Sequence, residues 1–207
     1  MADYTDYGFH SDGPTHNLGY QLDQLIAMLD KDHNQYILDL GCGNGYLVNY
    51  LISKGYNAYG TDASEKGIAI ARRNNNDRFF VQDLSSDDLP AELHQIPFDT
   101  IISTEVIEHL YDPEKFINFS KKQLKNGGEL IITTPYHGYL KNLVLSLFNK
   151  WDSHMDPLWL GGHIKLWSRN TLTKALTNAG FVIVDFKGSG RIPYFWKSMI
   201  IKAQKPL

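Results

Sequence analysis

Short apolar runs alternate along the chain with longer stretches in which apolar residues recur every three or four positions. The short runs predict buried strands, because the strands of a parallel sheet covered on both faces are continuously apolar. The longer stretches predict amphipathic helices. Seven strands are predicted in this way, with the sequences YILDL, NAYGTD, RFFVQD, FDTIIST, ELIITTP, FVIVDF and SMIIKAQ.

Helices are predicted before the first strand and between most of the others. The first helix follows from the helical spacing of Leu22, Leu25, Ile26 and Leu29. Four more are predicted over YLVNYLISKG, SEKGIAIARRN, PEKFINFSKKQLKNGG and SRNTLTKALTNAG. Helix stops are expected at Gly55, Gly127 and Gly180, and a helix start at Pro113 behind its cap Asp112.

This alternation predicts an α/β fold with a doubly wound, mainly parallel, seven-stranded sheet. The last two strands have no helix between them, so the last strand should be antiparallel to its neighbours. No interdomain linker or repeat is visible, and we expect residues 1–207 to form a single domain.

One long insertion, residues 135–167, separates the fifth strand from the next predicted helix. It exceeds the roughly 12–15 residues usual for a structureless loop, so it should be a functional lid or carry its own helix. An apolar stripe at helical spacing favours core packing first, and second a wall for a lipophilic substrate or a membrane-contacting face. Its members are Leu140, Leu143, Val144, Leu147, Phe148 and Trp151. The insertion also holds His137, His154 and His163.

Composition places the chain among ordinary globular proteins, with 43% hydrophobic and 21% charged residues. The N-terminus MADYTDYGFH lacks the features of a signal peptide, and Cys42 is the only cysteine, so a reducing compartment, the cytoplasm, is expected. The net charge of −3 gives no reason to expect nucleic-acid binding. After Asp156 a single acid faces eight lysines and arginines. This basic part suits solvated helix faces, an anionic substrate or a membrane surface.

A glycine-rich turn follows the first strand, in LDLGCGNGY. Gly41, Gly43 and Gly45 allow a tight turn and a close approach of the backbone to a ligand. The second strand ends about 20 residues later in Asp62, where an acid can accept hydrogen bonds from a ribose diol. The third strand ends in Asp83. This order of strand, turn, helix and acid-tipped strand predicts a nucleoside-containing cofactor.

The spacing G-x-G-x-G differs from the dinucleotide fingerprint G-x-G-x-x-G and resembles the first motif of class I S-adenosylmethionine-dependent methyltransferases. The resemblance runs from about Tyr36 to Gln204 and implies a Rossmann-like methyltransferase fold. It implies that the glycine turn lies against the methionine part, Asp62 holds the ribose and Asp83 contacts the adenine, although Asp83 could instead cap a helix. The implied cofactor contacts are Asp39, Gly41, Cys42, Gly43, Asn44, Asp62, Ala63, Asp83, Leu84 and Thr104. Cys42 receives no chemical role of its own.

The stretch EVIEHL follows the fourth strand directly. If it forms a helical turn, Glu105, Glu108 and His109 share one face at i, i+3 and i+4. The pattern E-x-x-E-H is similar to that of ubiquinone-biosynthesis O-methyltransferases and of small-RNA 3′-terminal 2′-O-methyltransferases. In the RNA group a later histidine completes a metal site, and His163 stands at the matching place. The alternative is the polar start of a helix without metal.

The resemblance therefore predicts methyl transfer to the oxygen of a small catechol-like or vicinal-diol acceptor, with S-adenosylhomocysteine as product. Glu105, Glu108, His109 and His163 are the candidate ligands of Mg²⁺ or Mn²⁺, and Glu105 and His163 are also the candidate catalytic residues. Two alternatives remain open, RNA 3′-terminal 2′-O-methylation and metal-independent methylation of nitrogen or sulfur in a small molecule. The oligomeric state is not predicted.

Overall fold

The computed structural model describes residues 8–84, 88–159 and 161–207. Residues 1–7, on which part of the signal-peptide expectation rests, lie outside the described residues. The strands are β1 (Tyr36–Leu40), β2 (Asn57–Asp62), β3 (Phe79–Val81), β4 (Phe98–Thr104), β5 (Leu124–Pro135), β6 (Val182–Ser189) and β7 (Ser198–Gln204). The helices are α1 (His16–Ile26), α2 (Tyr46–Ser53), α3 (Glu65–Ala71), α4 (Pro113–Gln123), α5 (Tyr139–Leu147), α6 (Trp151–Met155) and α7 (Arg169–Asn178).

All seven predicted strands form one sheet in the order β3-β2-β1-β4-β5-β7-β6. The first five strands pair in parallel, and β7 runs antiparallel to both β5 and β6. The predicted doubly wound sheet with an antiparallel last strand is confirmed. Strand order reverses beside β1, and at such a point the loops after β1 and β4 diverge and leave room for a ligand.

The hydrophobic core lies on both faces of the sheet, because alternate strand residues point to opposite sides. On one face Leu38 and Leu40 pack with side chains of α4 and α7 such as Phe116 and Leu172. On the other face Ile37 packs with side chains of α1, α2 and α3. The result is a three-layer arrangement that holds the carboxyl ends of β1, β2 and β4 at one edge.

Most of the predicted helix ends agree with the structure. Asp112 accepts a hydrogen bond from the Lys115 amide at 2.9 Å and caps α4, with Pro113 at the first helical position. Gly55 and Gly180 follow the last residues of α2 and α7 with φ of +89° and +80°, as helix stops require.

The predicted stop at Gly127 was wrong. Helix α4 ends at Gln123, and Leu124 already pairs with Phe98 of β4. The Lys205 ammonium donates to the carbonyl oxygens of Lys121 and Leu124, so a residue from the C-terminal segment satisfies the helix end. Gly127 instead turns the chain inside β5, because tertiary pairing overrides the local helix signal.

Candidate functional site

The glycine turn after β1 packs directly against neighbouring segments. A Cβ on Gly41 would lie 2.4 Å from Cγ2 of Val106, which belongs to the segment after β4. A Cβ on Gly43 would lie 2.7 Å from the Phe9 ring. Both glycines also have positive φ, +81° and +55°. Any other residue would be strained and crowded at these two positions, so the turn is fixed beside the EVIEHL segment.

Asp62, at the end of β2, holds the turn in place. One carboxylate oxygen accepts a hydrogen bond from the Gly43 amide at 2.8 Å, and the other accepts one from the Ser64 amide at 2.7 Å. Burial raises the pKa of Asp62, and these two amides partly oppose that shift. Each oxygen keeps a second lone pair, so the carboxylate can also accept from a diol, as predicted for a ribose.

Asp39, within β1, is buried without a countercharge. Its side chain is 1% exposed, and within the described residues neither carboxylate oxygen has a hydrogen-bond partner. Burial and the neighbouring Asp62 charge raise the pKa of Asp39 to about 8. A buried carboxylate of this kind is costly unless a cation or donor joins it. The orphaned acid therefore fits a positively charged cofactor such as a sulfonium.

The remaining predicted cofactor residues lie around the same edge of the sheet. Asn44 donates from its side-chain amide to the carbonyl oxygens of Ser11 and Gly13, at 2.7 and 2.8 Å, so it anchors the N-terminal segment. Cys42 is buried, and burial raises the pKa of its thiol, which agrees with the absence of a chemical role. The other four predicted contacts lie at or just after strand ends: Ala63 after β2, Asp83 and Leu84 after β3, and Thr104 as the last residue of β4. Asp83 is exposed, and the other three are half-buried.

The segment after β4 does not form the predicted helical turn at Glu105. This residue has φ of +54°, in the left-handed region, and the short 3₁₀ helix begins two residues later, over Ile107–His109. Glu105 therefore does not share one face of a helical turn with Glu108 and His109, although its charge still acts on Glu108. The chain reverses at Glu105 and directs its side chain towards α1.

Glu105 joins helix α1 to the sheet. Its carboxylate accepts hydrogen bonds from the side chains of Asn17, Gln21 and Thr133 at 3.1, 2.9 and 3.1 Å. Burial raises the pKa of Glu105, and the donors Gln21 and Thr133 partly oppose that rise. The sequence analysis did not predict the partners Asn17 and Gln21, because they come from a helix 88 and 84 residues earlier in the chain.

Glu108, His109 and His163 do come together. One potential ligand atom from each lies within 4.8 Å of the others, the only such group of three or more His, Cys, Asp or Glu in the part of the chain that the structure describes. Glu108 is 1% exposed. Its Oε2 accepts a hydrogen bond from Thr134 at 2.9 Å, whereas its Oε1 has no hydrogen-bond partner among the described residues. The Nε2 atoms of His109 and His163 lie 3.9 and 4.0 Å from that oxygen.

Backbone contacts explain why His163 reaches this site from so far along the chain. The carbonyl oxygen of Glu108 accepts hydrogen bonds from the amides of Ile164 and Lys165, both at 3.0 Å. The His109 Nδ1 lies 3.2 Å from the carbonyl oxygen of Gly162 and donates to it. That bond fixes the tautomer and leaves a lone pair on Nε2.

The electrostatics of this group favour a bound cation. Burial, with the Glu105 charge second, raises the pKa of Glu108 well above its usual value. Burial lowers the pKa of His109, and burial together with His109 lowers that of His163 to about 4. Both imidazoles are thus neutral at pH 7, the form that ligates metals. A divalent cation would supply the missing partner of Glu108 Oε1, so the residues fit a metal.

The insertion at residues 135–167, which we call the lid, carries two helices, α5 and α6. A helix of its own was one of the two outcomes predicted from its length. Most apolar side chains of α5 are exposed, and a charged one is buried. Leu147 and Phe148 are 71% and 67% exposed, while Lys141 is 8% exposed. Lys141 donates to the carbonyl oxygens of Tyr136 at 2.7 Å and Lys197 at 3.4 Å. The first interpretation of the stripe, core packing, is wrong, because a buried ammonium rather than the apolar face points inward.

Sequence reasoning missed Lys141 as a site residue. A lysine between Leu140 and the other apolar positions of the stripe is the signal that could have drawn attention to it.

Within the described residues, no helix has both the length and the apolar character needed to cross a membrane.

Comparisons with known proteins agree with this geometry. The family model described as a methyltransferase domain matches residues 15–185. The ubiquinone biosynthesis O-methyltransferase of Chelativorans sp. is 31% identical over 180 residues, covering 83% of this chain and 71% of that protein. The enzyme of the same name from Hydrogenovibrio crunogenus is 30% identical, and the match spans 66% of this chain and only 57% of that relative's length.

Solved structures share the fold. Magnesium protoporphyrin IX methyltransferase from Synechocystis, with bound SAH, has a TM-score of 0.67 and is 24% identical, covering 89% of this chain and 82% of that one. A S-adenosylmethionine-dependent methyltransferase from Mesorhizobium loti has a TM-score of 0.68 at 20% identity, covering 89% of this chain and 97% of that one. At these identities the likeness concerns the fold alone.

Proposed function

Since this chain belongs to the methyltransferase-domain family and is a class I S-adenosylmethionine-dependent methyltransferase, we propose that it methylates a hydroxyl oxygen of a small catechol-like or vicinal-diol acceptor. The names of the relatives support an oxygen acceptor. The observation that carries the proposal is the group of Glu108, His109 and His163, which follows Val106, the residue packed against Gly41 of the glycine turn.

S-adenosylmethionine supplies an electrophilic methyl group on its sulfonium. The glycine turn, Asp62 and Asp39 would hold it, because glycines let a ligand approach the backbone closely and both acids are buried near the carboxyl ends of β1 and β2. Val106 links this turn to the acceptor side through its contact with Gly41. Holding donor and acceptor in line is the main contribution that a protein can make to such a displacement.

Glu108, His109 and His163 would hold a divalent cation. Such an ion would supply Lewis acidity, which lowers the pKa of an acceptor hydroxyl. Two imidazoles and one carboxylate suit Mn²⁺ or a neighbouring transition ion better than Mg²⁺, which prefers oxygen ligands. In this proposal Glu105 positions the site by holding α1 against β4 and β5, and is not a ligand.

Loss of the metal ligand gives the direct test. Glu108→Gln should lower kcat/KM for a catechol acceptor by about 100-fold or more, since a catalytic metal contributes several kcal/mol. EDTA should inhibit the wild-type enzyme, and Mn²⁺ should restore it. Mn²⁺ binding, measured by loss of the free-ion electron paramagnetic resonance signal, should weaken in Glu108→Gln but persist in Glu105→Gln. Glu114→Gln, an exposed acid of α4, is the matched control.

The outcomes separate the two parts of the proposal. If EDTA leaves the turnover of the catechol unchanged, the proposed metal role would be wrong, and the proposed methylation of oxygen would stand. Methylation of amines or thiols in place of hydroxyls would overturn the oxygen acceptor itself.

The exposed face of α5 supports a second role for the lid, contact with an anionic membrane surface. Leu143, Leu147 and Phe148 are exposed on this face. The neighbouring loop between β6 and β7 exposes Ile192 and Tyr194 and carries Arg191. Apolar side chains beside cations match a bilayer with anionic headgroups, which attract lysine and arginine near the surface.

A further inference from the structure

A second polar cluster lies within the lid itself, separate from the cofactor residues and from the candidate metal group. The imidazoles of His137 and His154 meet edge to face with ring centroids 5.2 Å apart. The Trp151 ring is stacked parallel to His137, with centroids 6.3 Å apart. His137 follows β5, and its amide donates to the Trp167 carbonyl oxygen at 3.0 Å, so the two ends of the lid are joined here. We call His137, Lys141, Asn142 and His154 the lid cluster.

The lid cluster buries polar atoms that the described residues do not satisfy. His137 is 4% exposed, yet neither of its ring nitrogens has a hydrogen-bond partner. The buried Nε2 of His154 likewise has none. The Oδ1 of Asn142 makes no hydrogen bond of good geometry, but the Asn142 side chain lies close enough to His137 to oppose part of the fall in the pKa of that imidazole, so these two groups partly satisfy one another. Buried imidazoles in native proteins are nearly always paired, so the other ring nitrogen of His137 and the Nε2 of His154 indicate a ligand that pairs with them.

The charges around the lid cluster indicate that the ligand is negatively charged. The Lys141 ammonium uses two of its three N–H groups on carbonyl oxygens. After burial, the Lys141 charge is the strongest factor that lowers the pKa of His137, to about 4, and of His154, on which Arg191 also acts. Glu105 is the acid that faces Lys141. A cation would be repelled here, and an apolar group would leave the imidazole N–H groups unpaired.

We propose that the lid cluster binds a carboxylate group carried by the methyl acceptor, with His137, His154 and Lys141 as its hydrogen-bond donors. A carboxylate accepts several hydrogen bonds and needs one positive partner, which matches two neutral imidazoles and one ammonium. The cluster lies close enough to the candidate metal group that His154 and His163 influence one another electrostatically. One small aromatic acid could therefore reach both groups. This inference rests on the proposed function for the rest of the acceptor.

The test compares two acceptors that differ in one group, 3,4-dihydroxybenzoate and its carboxamide. Calorimetry on the wild-type protein loaded with S-adenosylhomocysteine should give at least about tenfold tighter binding of the acid, since hydrogen bonds to a charged group carry that much. Lys141→Met and His154→Gln should each bring the ratio of the two affinities towards one. Lys150→Met removes an exposed lysine next to Trp151 and should leave the ratio unchanged.

Two further measurements keep the test decisive. Lys141 also bonds the backbone at Tyr136 and Lys197, so His154→Gln decides the outcome if Lys141→Met does not fold. The imidazole resonances of His137 and His154 should shift on adding the acid and not the amide. Equal binding of acid and amide, or a preference that survives in His154→Gln, would overturn the proposal. A preference for the acid without any methylation would retain the lid cluster and overturn the proposed function instead.

Discussion

At the scale of single residues, the cofactor site and the candidate metal site each contain a buried carboxylate with at least one oxygen that has no hydrogen-bond partner among the described residues. Asp39 in β1 and Glu108 after β4 are each 1% exposed. Burial is the largest cause of the raised pKa of both. Isolated buried charges are costly, so such groups stay protonated until a cation arrives. Both sites therefore couple cation binding to proton release.

Asp39 allows a test of this coupling at the cofactor site. Because its pKa is about 8 without a cofactor, binding of cationic S-adenosylmethionine should release a proton below pH 8. Affinity should then rise with pH, by up to about tenfold per pH unit, and level off above 8. Asp39→Asn should flatten that dependence. Calorimetry in buffers of different ionisation enthalpy measures the released proton.

Two controls belong to that experiment. S-adenosylhomocysteine, which lacks the sulfonium charge, should show a weaker pH dependence than S-adenosylmethionine. Asp77→Asn changes an exposed acid and should retain the wild-type dependence. A pH-independent affinity in the wild-type protein would contradict the assignment of Asp39.

At the scale of elements, helix α5 has its polar and apolar sides in unexpected places. Lys141 points inward and bonds the carbonyl oxygens of Tyr136 and Lys197, while the apolar stripe faces outward. Exposed apolar patches on monomers mark interaction sites more often than chance. The lid thus has two working faces, the lid cluster inside and the apolar face outside.

The outer face of α5 can be tested with vesicles. The wild-type protein should sediment with vesicles containing anionic lipid at low salt. It should be released as salt rises, because screening shortens the reach of the charges to about 10 Å at 0.1 M. Replacing Leu147 and Phe148 together by Ser should abolish sedimentation. Val182→Ser, at an exposed apolar position of β6, should leave sedimentation unchanged. Absence of wild-type sedimentation at every salt concentration would overturn the membrane contact.

At the scale of the whole molecule, pH acts on stability through buried histidines. Burial lowers the pKa of His137 to about 4, below the roughly 6.5 of an unfolded chain. Between these values the unfolded state binds more protons, so the contribution of His137 to stability falls as the pH falls from 6.5 to 4. Buried acids with raised pKa act in the opposite direction, so the stability of one protein alone does not isolate this effect.

A comparison of the wild-type protein with one variant isolates the contribution of His137. The stability of the wild-type protein relative to His137→Gln should fall by about 1–3 kcal/mol between pH 7 and pH 4. Urea unfolding at several pH values measures the difference. The same comparison with His10→Gln, at an exposed position, should show a much smaller change. A constant difference for His137→Gln would mean that the imidazole is not held neutral in the fold.

The sequence by itself determined the sheet, the glycine turn and the acids that follow it. Continuous apolar strands, helical periodicity and turn glycines are local patterns, and each strand predicted from them is present in the structure. Asp62 ends β2 as predicted, and its carboxylate accepts a hydrogen bond from the glycine turn, while the ribose contact expected of it stays a prediction. The end of α4 was not determined locally, because Lys205 and strand pairing decide it.

Only the tertiary structure decided which polar residues meet. Glu105 has a left-handed backbone conformation after β4, and its side chain bonds Asn17 and Gln21 of α1, while its charge still acts on Glu108. Two backbone hydrogen bonds to the Glu108 carbonyl brought His163 beside it from the far end of the lid. The inward direction of Lys141 likewise depends on the carbonyl oxygens of Tyr136, just after β5, and of Lys197, just before β7. Spacing along the chain predicts which side chains meet within one helical turn. Contacts between residues 50 or more positions apart depend instead on how the helices and loops pack against the whole sheet.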